Sequence, residues 1–319
     1  MENFDTRLLK RLYLPPAGSH KGQNGKLLVI GGSHLFHAAS LWALTIASRI
    51  VDMVFYSSVP ENNQVITEAK REFRNGIIVP RDDLEDYIKE ADCVVLGPGM
   101  LRIDKSKVKS RKSKAQIKNQ KLQEINALED EGEQTYYLTK YLLEKYPEKK
   151  WVIDAGALQM MELEWLRPLK GMVVLTPHVG EFEVLRSKIN PSTKLRTGDQ
   201  RSKTQIKNKK LEEQVEIFAK DYNCIILLKG REDVVCSPDK CIRVAGGNAG
   251  MTKGGTGDVL AGLVGAFACK NDLWLSAIAA SYINKKAGDS LFEKVGYYFN
   301  ASDLVDEIPR VMKELIIEN

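Results

Sequence analysis

Six short apolar runs punctuate the chain, and each stops at a glycine, a proline or a polar residue. They are "KLLVIGGS" (26–33), "MVFYSSVP" (53–60), "CVVLGPG" (93–99), "WVIDAG" (151–156), "MVVLTPH" (172–178) and "CIILLKG" (224–230). Their length and β-branched content fit strands buried on both faces. Between several of them the apolar spacing turns helical, as in "ASLWALTIASRI" (39–50) and "LTKYLLEKY" (138–146). Strands alternating with helices imply an α/β fold of βαβ units around a central, mostly parallel sheet. From Asp258 onward the chain reads as mostly helix. In open sheets of this kind ligands bind beyond the C-terminal ends of the strands. Gly31, Gly32, Gly97, Gly99, Asp154, His178 and Lys229 all fall at such ends.

A length of 319 residues allows one large domain or two smaller ones. With 43% apolar and 28% charged residues the chain has the composition of a globular protein rather than a disordered one. No apolar run reaches the roughly 20 residues that cross a bilayer. The N-terminal "MENFDTRLLKRLYLPP" lacks the apolar core of a signal peptide. The expectation is a cytoplasmic location and no membrane partner. The five cysteines, Cys93, Cys224, Cys236, Cys241 and Cys269, form an odd, scattered set that argues against a disulfide framework. Cys236 and Cys241 are close enough for a metal pair, but no second pair supplies the four ligands of a structural zinc site.

Two segments break the pattern. Residues 102–135 and 192–214 are highly charged and nearly free of aromatics. They share a repeat: "SKAQIKNQKL" (113–122) and "SKTQIKNKKL" (202–211) agree at eight of ten positions. The copies are too short and too far apart for a solenoid. One reading is a pair of solvated insertions of related origin. The other is a pair of basic arms that hold nucleic acid. The acidic "EDEGE" (129–133) after the first copy weakens an anion-binding field. No aromatic lies among the lysines to stack on a base. Both points favour solvated insertions, so nucleic acid is not an expected partner.

The most informative stretch is "KGGTGDVLAG" (253–262). Val259, Leu260, Leu263, Val264 and Phe267 share one helical face, so a helix starts near Gly257. The first N–H groups of that helix are unpaired, and its dipole favours an anion there. Gly254, Gly255 and Gly257 let the main chain approach a ligand closely. The turn at Gly255, Thr256 and Gly257 is thus a candidate anion hole for a phosphoryl group. Asp258 sits in the first turn of the helix. It could simply stabilise the helix end, by about 0.3–1 kcal/mol. It could also be a general base that takes a proton from an attacking hydroxyl.

Other candidates are weaker one by one. In "LTPHVGEFEVL" (175–185), His178 could hydrogen-bond a substrate or serve the loop structurally. Glu181 could cap its helix or hold Mg2+ through a water. Lys229 in "LLKGRED" (227–233) could meet a phosphate as a point charge. "LGPGM" (96–100) lacks the third glycine of a dinucleotide fingerprint, which excludes an ordinary Rossmann dehydrogenase. "GGSHLFHAAS" (31–40) is a glycine turn before a helix start, and close strand–helix packing explains it equally well.

In order along the chain, "HKGQNGKLLVIGGS", "DCVVLGPGM", "VIDAGAL", "LTPHVGEFEVL", "ILLKG" and "NAGMTKGGTGDVLAGLVGAF" resemble the NAD(P)H-hydrate dehydratase family. The resemblance runs from about Leu14 to Ile308, interrupted by the two charged segments. It implies a ribokinase-like, three-layer α/β/α fold and an ADP- or ATP-dependent dehydration that returns NADHX and NADPHX to NADH and NADPH. It implies Asp258 as the base acting on the ring hydroxyl. By motif match, Ala39, Gly99, His178 and Asp258 would touch the hydrate. Lys229, Gly230, Arg231, Glu232, Asp233 and Gly257 would line the nucleotide site. ADP or ATP with Mg2+ is the implied donor.

The chain departs from the family pattern at four places. Gly156 stands for a usual aspartate, Val179 for a usual proline, Asp233 for a frequent threonine and Asn284 for a frequent histidine. A carboxylate at 233 would repel a nucleotide phosphate. The resemblance also leaves no length for the N-terminal epimerase domain that many relatives carry, so a separate NAD(P)HX epimerase and a homo-oligomer are expected partners. Residues 1–319 are expected to form a single domain with insertions at about 102–135 and 192–214. The rival readings are a small-molecule kinase of the same fold and a non-catalytic nucleotide or nucleic-acid binding protein.

Overall fold

The computed structural model describes residues 2–103, 121–189 and 210–318. Within them a ten-stranded sheet runs in the order β1-β10-β9-β8-β7-β6-β5-β2-β3-β4. The strands are β1 (Glu2–Asn3), β2 (Lys26–Ile30), β3 (Met53–Ser57), β4 (Ile77–Ile78), β5 (Cys93–Leu96), β6 (Lys150–Ile153), β7 (Val173–Leu175), β8 (Ile225–Leu228), β9 (Asp233–Cys236) and β10 (Cys241–Val244). Every pairing from β4 across to β8 is parallel, whereas β9 runs antiparallel to both β8 and β10. All six apolar runs of the sequence are strands at the centre of this sheet, at β2, β3, β5, β6, β7 and β8.

Alternate residues of each central strand feed two separate cores. Leu27, Val29, Val95, Val152, Val174 and Leu227 point to one face. There they meet α1 (His37–Ala47), α9 (Thr256–Ala268), α10 (Leu273–Val295) and α11 (Ala301–Met312). Leu28, Ile30, Leu96, Ile153, Leu175 and Ile226 point to the other face. That face is covered by α3 (Leu84–Glu90), α4 (Leu122–Asn126), α5 (Glu131–Lys145), α6 (Ala155–Met160), α7 (Val179–Ser187) and α8 (Leu211–Tyr222). Helix α2 (Pro60–Ala69) sends Ile66 into the first core. The strands read as unbroken apolar runs because both faces are covered.

Helix α9 (Thr256–Ala268) meets its neighbours through glycines. A Cβ at Gly262 in α9 would lie 2.6 Å from the Ala43 backbone, and one at Gly265 would lie 2.3 Å from Val95. Helix α9 therefore lies directly on both α1 and the sheet, and its N-terminus is held at the strand ends.

Two sequence expectations need correction. The charged segments are not wholly solvated insertions. Residues 121–135 form α4 and the start of α5, with Leu122, Ile125 and Thr135 buried. Gln134, also buried, donates to the Leu128 carbonyl at 2.6 Å. Helix α8 begins at Leu211, inside the expected 192–214 segment, and buries Gln214 against the Arg186 guanidinium. The cause is amphipathicity: a few apolar residues at helical spacing dock an element whose composition is otherwise charged. Most of both repeat copies lies outside the described residues. The second correction concerns Cys236 and Cys241. They stand opposite each other on β9 and β10 and form a disulfide, with a Cα separation of 4.1 Å. Direct cross-strand pairing joins two cysteines that spacing alone presented as possible metal ligands. Cys93, Cys224 and Cys269 are free and buried.

Candidate active site

Three glycine turns cross at the C-terminal ends of β2, β5 and β6. The Gly32 N–H donates to the Pro98 carbonyl at 2.7 Å. A Cβ at Gly97 would lie 1.9 Å from the Asp154 carbonyl, and one at Gly99 would lie 3.0 Å from the Ala39 Cβ. Gly97 and Gly99 also have φ of 123° and 73°, the left-handed region that glycine enters at little cost. Ala39 and Gly99, named together from the sequence, are thus brought into contact at the start of α1. Gly156, the departure from the usual aspartate, has a local cause: a Cβ there would sit 2.1 Å from the Met100 carbonyl.

Beside these turns, Lys229 gathers the carboxylates. Its ammonium donates to Asp154 Oδ1 at 2.8 Å and lies 3.9 Å from Glu181 Oε2. Thr176 Oγ1 donates to the same Asp154 oxygen at 2.8 Å. Burial alone would pull the Lys229 pKa down, but Asp154 and Glu181 outweigh it and hold it above the ordinary lysine value. Asp258 faces this cluster from the first turn of α9. Burial, with Asp154 and Glu181 adding to it, pushes its carboxyl up to about 7, while Lys229 pulls the other way. Such a carboxyl is half ionised near neutrality, which suits a base exchanging protons with a hydroxyl.

The helix start falls at Thr256, with Gly255 as N-cap at φ 97°. The Thr256 hydroxyl is turned inward, donating to the Met251 carbonyl at 2.7 Å. What the turn offers an anion is therefore main-chain N–H, not hydroxyl. A Cβ at Gly257 would lie 3.4 Å from Lys229 Nζ, so the ammonium and the helix N-terminus face one another. Both favour negative charge in the gap between them.

His178 and Glu181 form a reciprocal cap at the start of α7. The Glu181 N–H donates to His178 Nδ1 at 3.2 Å, and the His178 N–H donates to Glu181 Oε2 at 2.9 Å. With Nδ1 accepting, Nε2 is the ring nitrogen left to donate, and it lies 3.6 Å from Glu181 Oε2. Val179 occupies the first helical position after this cap, where proline is favoured but not needed. The other Glu181 oxygen accepts from Gln159 Nε2 at 2.8 Å. Among the described residues no group of three His, Cys, Asp or Glu side chains is disposed to hold a metal. Lys229 occupies the space between Asp154 and Glu181.

A cavity of about 810 Å³ opens behind the glycine turn. Of the expected nucleotide residues, Lys229, Gly230, Arg231, Asp233 and Gly257 line it, joined by His178. Glu232 belongs to the same turn but is not part of the lining. Asp233 does not present a free charge to a phosphate. It is buried, accepts from the Gly230 N–H at 2.9 Å and from Ser281 Oγ at 2.7 Å, and pairs with Lys285 at 3.2 Å. Lys285 also donates to the Gly230 and Arg231 carbonyls, both at 3.1 Å. The repulsion expected at position 233 is thus cancelled by a lysine 52 residues away in sequence, which no local pattern announces. Asn284 lines the cavity with its Oδ1 buried and unpartnered.

A family model described as NAD(P)H-hydrate dehydratase matches residues 27–310. The chain belongs to the NAD(P)H-hydrate dehydratase family. It is 32% identical over 315 residues to the ADP-dependent (S)-NAD(P)H-hydrate dehydratase of Nitrosopumilus maritimus, covering 98% of this chain and 97% of that protein. It is 32% identical over 313 residues to the bifunctional NAD(P)H-hydrate repair enzyme of Methanocaldococcus jannaschii, covering 96% of this chain and 51% of that protein. The chain thus spans about half the length of the bifunctional relatives it matches. Among solved structures, a ribokinase-like superfamily protein of Enterococcus faecalis superposes with a TM-score of 0.75 at 20% identity, covering 99% of this chain and 96% of that one. The ADP/ATP-dependent NAD(P)H-hydrate dehydratase of Bacillus subtilis, co-crystallised with ATP/Mg2+, superposes with a TM-score of 0.67 at 21% identity, covering 98% of each chain. The fold of this family member is ribokinase-like, as its sequence implied.

Proposed function

We propose that this protein dehydrates the hydrated nicotinamide cofactors NADHX and NADPHX, with ADP or ATP as phosphoryl donor. The nucleotide occupies the 810 Å³ cavity with its terminal phosphoryl group between the Gly255–Gly257 N–H groups and Lys229. The hydrate lies toward Ala39 and Gly99. Asp258 takes the proton of the ring hydroxyl as that oxygen attacks phosphorus, and the nucleotide leaves one phosphoryl group shorter. The C–O bond of the phosphorylated ring then breaks, phosphate departs with the bonding electrons, and loss of a proton from the adjacent ring carbon restores the double bond. His178 Nε2–H donates to the hydrate. Mg2+ enters on the nucleotide phosphates, which is its usual mode of binding. Cytoplasmic action, self-association and an accompanying NAD(P)HX epimerase belong to the same proposal.

The observation that carries this reading is Asp258: a largely buried carboxyl, raised to about 7, set one residue beyond a glycine anion hole. The departures at 156, 179 and 233 do not oppose it, since the packing around each accommodates it. The test is to incubate the protein with NADHX, Mg2+ and ADP or ATP while following the return of NADH absorbance. Accumulation of a stable phosphate ester instead of NADH would make the protein a kinase of the same fold.

A further inference from the structure

We propose that Trp42 is a positioning residue for the phosphoryl-binding turn. It resides on α1, far in sequence from the turn it serves, and no motif marks it. A Cβ at Gly255 would lie 2.3 Å from Trp42 Cζ3, 2.4 Å from Cε3 and 2.7 Å from the Ala301 Cβ. The indole therefore lies in direct contact with the Gly255 main chain. Its orientation is tied down from the other side, where Nε1–H donates to Ser302 Oγ at 3.2 Å. Ser302 lies in the first turn of α11, which Asn300 caps, its Oδ1 accepting the Ser302 N–H at 2.8 Å. The ring thus spans three elements: α1, the glycine turn and the start of α11.

The rest of the loop is held in the same manner. A Cβ at Gly250 would lie 2.5 Å from the Phe299 ring, which is buried. Lys253 lies over that ring at 5.2 Å and donates to the Tyr297 carbonyl. Phe299 thus seats one end of the 250–257 loop, and Trp42 seats the end whose N–H groups face the anion. Gly255 has φ 97° and no side chain of its own to lock it. Preorganised donors stabilise developing charge only if they do not have to reorganise as the reaction proceeds. Trp42 supplies that rigidity at Gly255. It is not among the residues lining the nucleotide cavity, and it acts through the backbone.

The inference rests on the phosphoryl-transfer reading, so the test separates the two. Trp42→Leu, Trp42→Phe and Ser302→Ala are compared with the native chain in three measurements: ADP and AMP affinity by calorimetry, kcat for NADH recovery, and Tm. AMP lacks the phosphoryl group that the turn holds. For Trp42→Leu the preference for ADP over AMP falls at least fivefold and kcat at least tenfold, while AMP affinity holds within about twofold. Trp42→Phe recovers part of both losses, and Ser302→Ala lowers kcat about threefold at unchanged Tm. An unaltered ADP-to-AMP preference in Trp42→Leu overturns the inference. Equal loss of AMP and ADP affinity also overturns it, because that is general structural damage. If Trp42→Leu does not fold, native kcat and preference in both Trp42→Phe and Ser302→Ala overturn it. A native chain that yields no NADH overturns the dehydratase reading instead, and the affinity ratio still decides the role of Trp42.

Discussion

Replacing Asp258 with asparagine should stabilise the protein while removing its activity. Burial and the neighbouring Asp154 and Glu181 raise the Asp258 carboxyl from 3.8 to about 7. A shift of that size, at about 1.4 kcal/mol per unit, corresponds to an upper limit of about 4 kcal/mol. Partial exposure of the side chain reduces it to about 2–4 kcal/mol. The sign follows from the two protonation states. Below pH 3.8 the carboxyl is protonated in both the folded and unfolded chains, so it costs nothing. As the pH rises towards 7 the unfolded chain ionises freely and the folded chain resists, so stability is lost. Above about 7 the full penalty is present. Asparagine keeps the shape without the charge, and Lys229 retains Asp154 and Glu181 as partners. Urea unfolding at a series of pH values should show Asp258→Asn gaining about 2–4 kcal/mol at pH 8 and only about a third of that at pH 5. Turnover should fall at least 100-fold, in the range expected for loss of a general base. A variant no more stable than the native chain at pH 8 would refute the buried, repelled carboxylate, and with it the basis for a base near neutrality.

Other consequences follow from the same geometry. In the native protein kcat/KM should rise with pH through about 7 as Asp258 loses its proton, and a profile flat from pH 5 to 9 would contradict that assignment. Asp233→Ala should cost about 3–5 kcal/mol, because it strands the Lys285 ammonium in the interior. Asp233→Leu combined with Lys285→Met should recover most of that in urea unfolding. Gly156→Asp, which restores the residue usual in the family, should lower Tm by several degrees, since its Cβ would meet the Met100 carbonyl at 2.1 Å. Lys229→Met should reduce turnover and stability together, because Asp154 would be left buried beside Glu181 with no cation.

The sequence by itself determined the central strands, the parallel sense of most of the sheet and the helix that starts beside Gly255. These depend on local rules: strand-length apolar runs buried on two faces, glycine at turns, and helical spacing after Asp258. Motif order also carried the family and the residues around the glycine turn. Tertiary structure alone decided the charge balance and the rigidity of the site. Lys285 neutralises Asp233, Lys229 pairs with Asp154, and Trp42 packs under Gly255 from the far side of the chain. None of these pairs has a characteristic spacing, because their partners sit on elements that meet only after the sheet has formed. The same reason hid the Cys236–Cys241 bridge, which cross-strand register creates, and the packed helices within segments whose composition reads as solvated. Asp258 shows both levels at once. Its place at the helix start is written in "GGTGD", but its elevated pKa comes from burial and from two carboxylates on other elements.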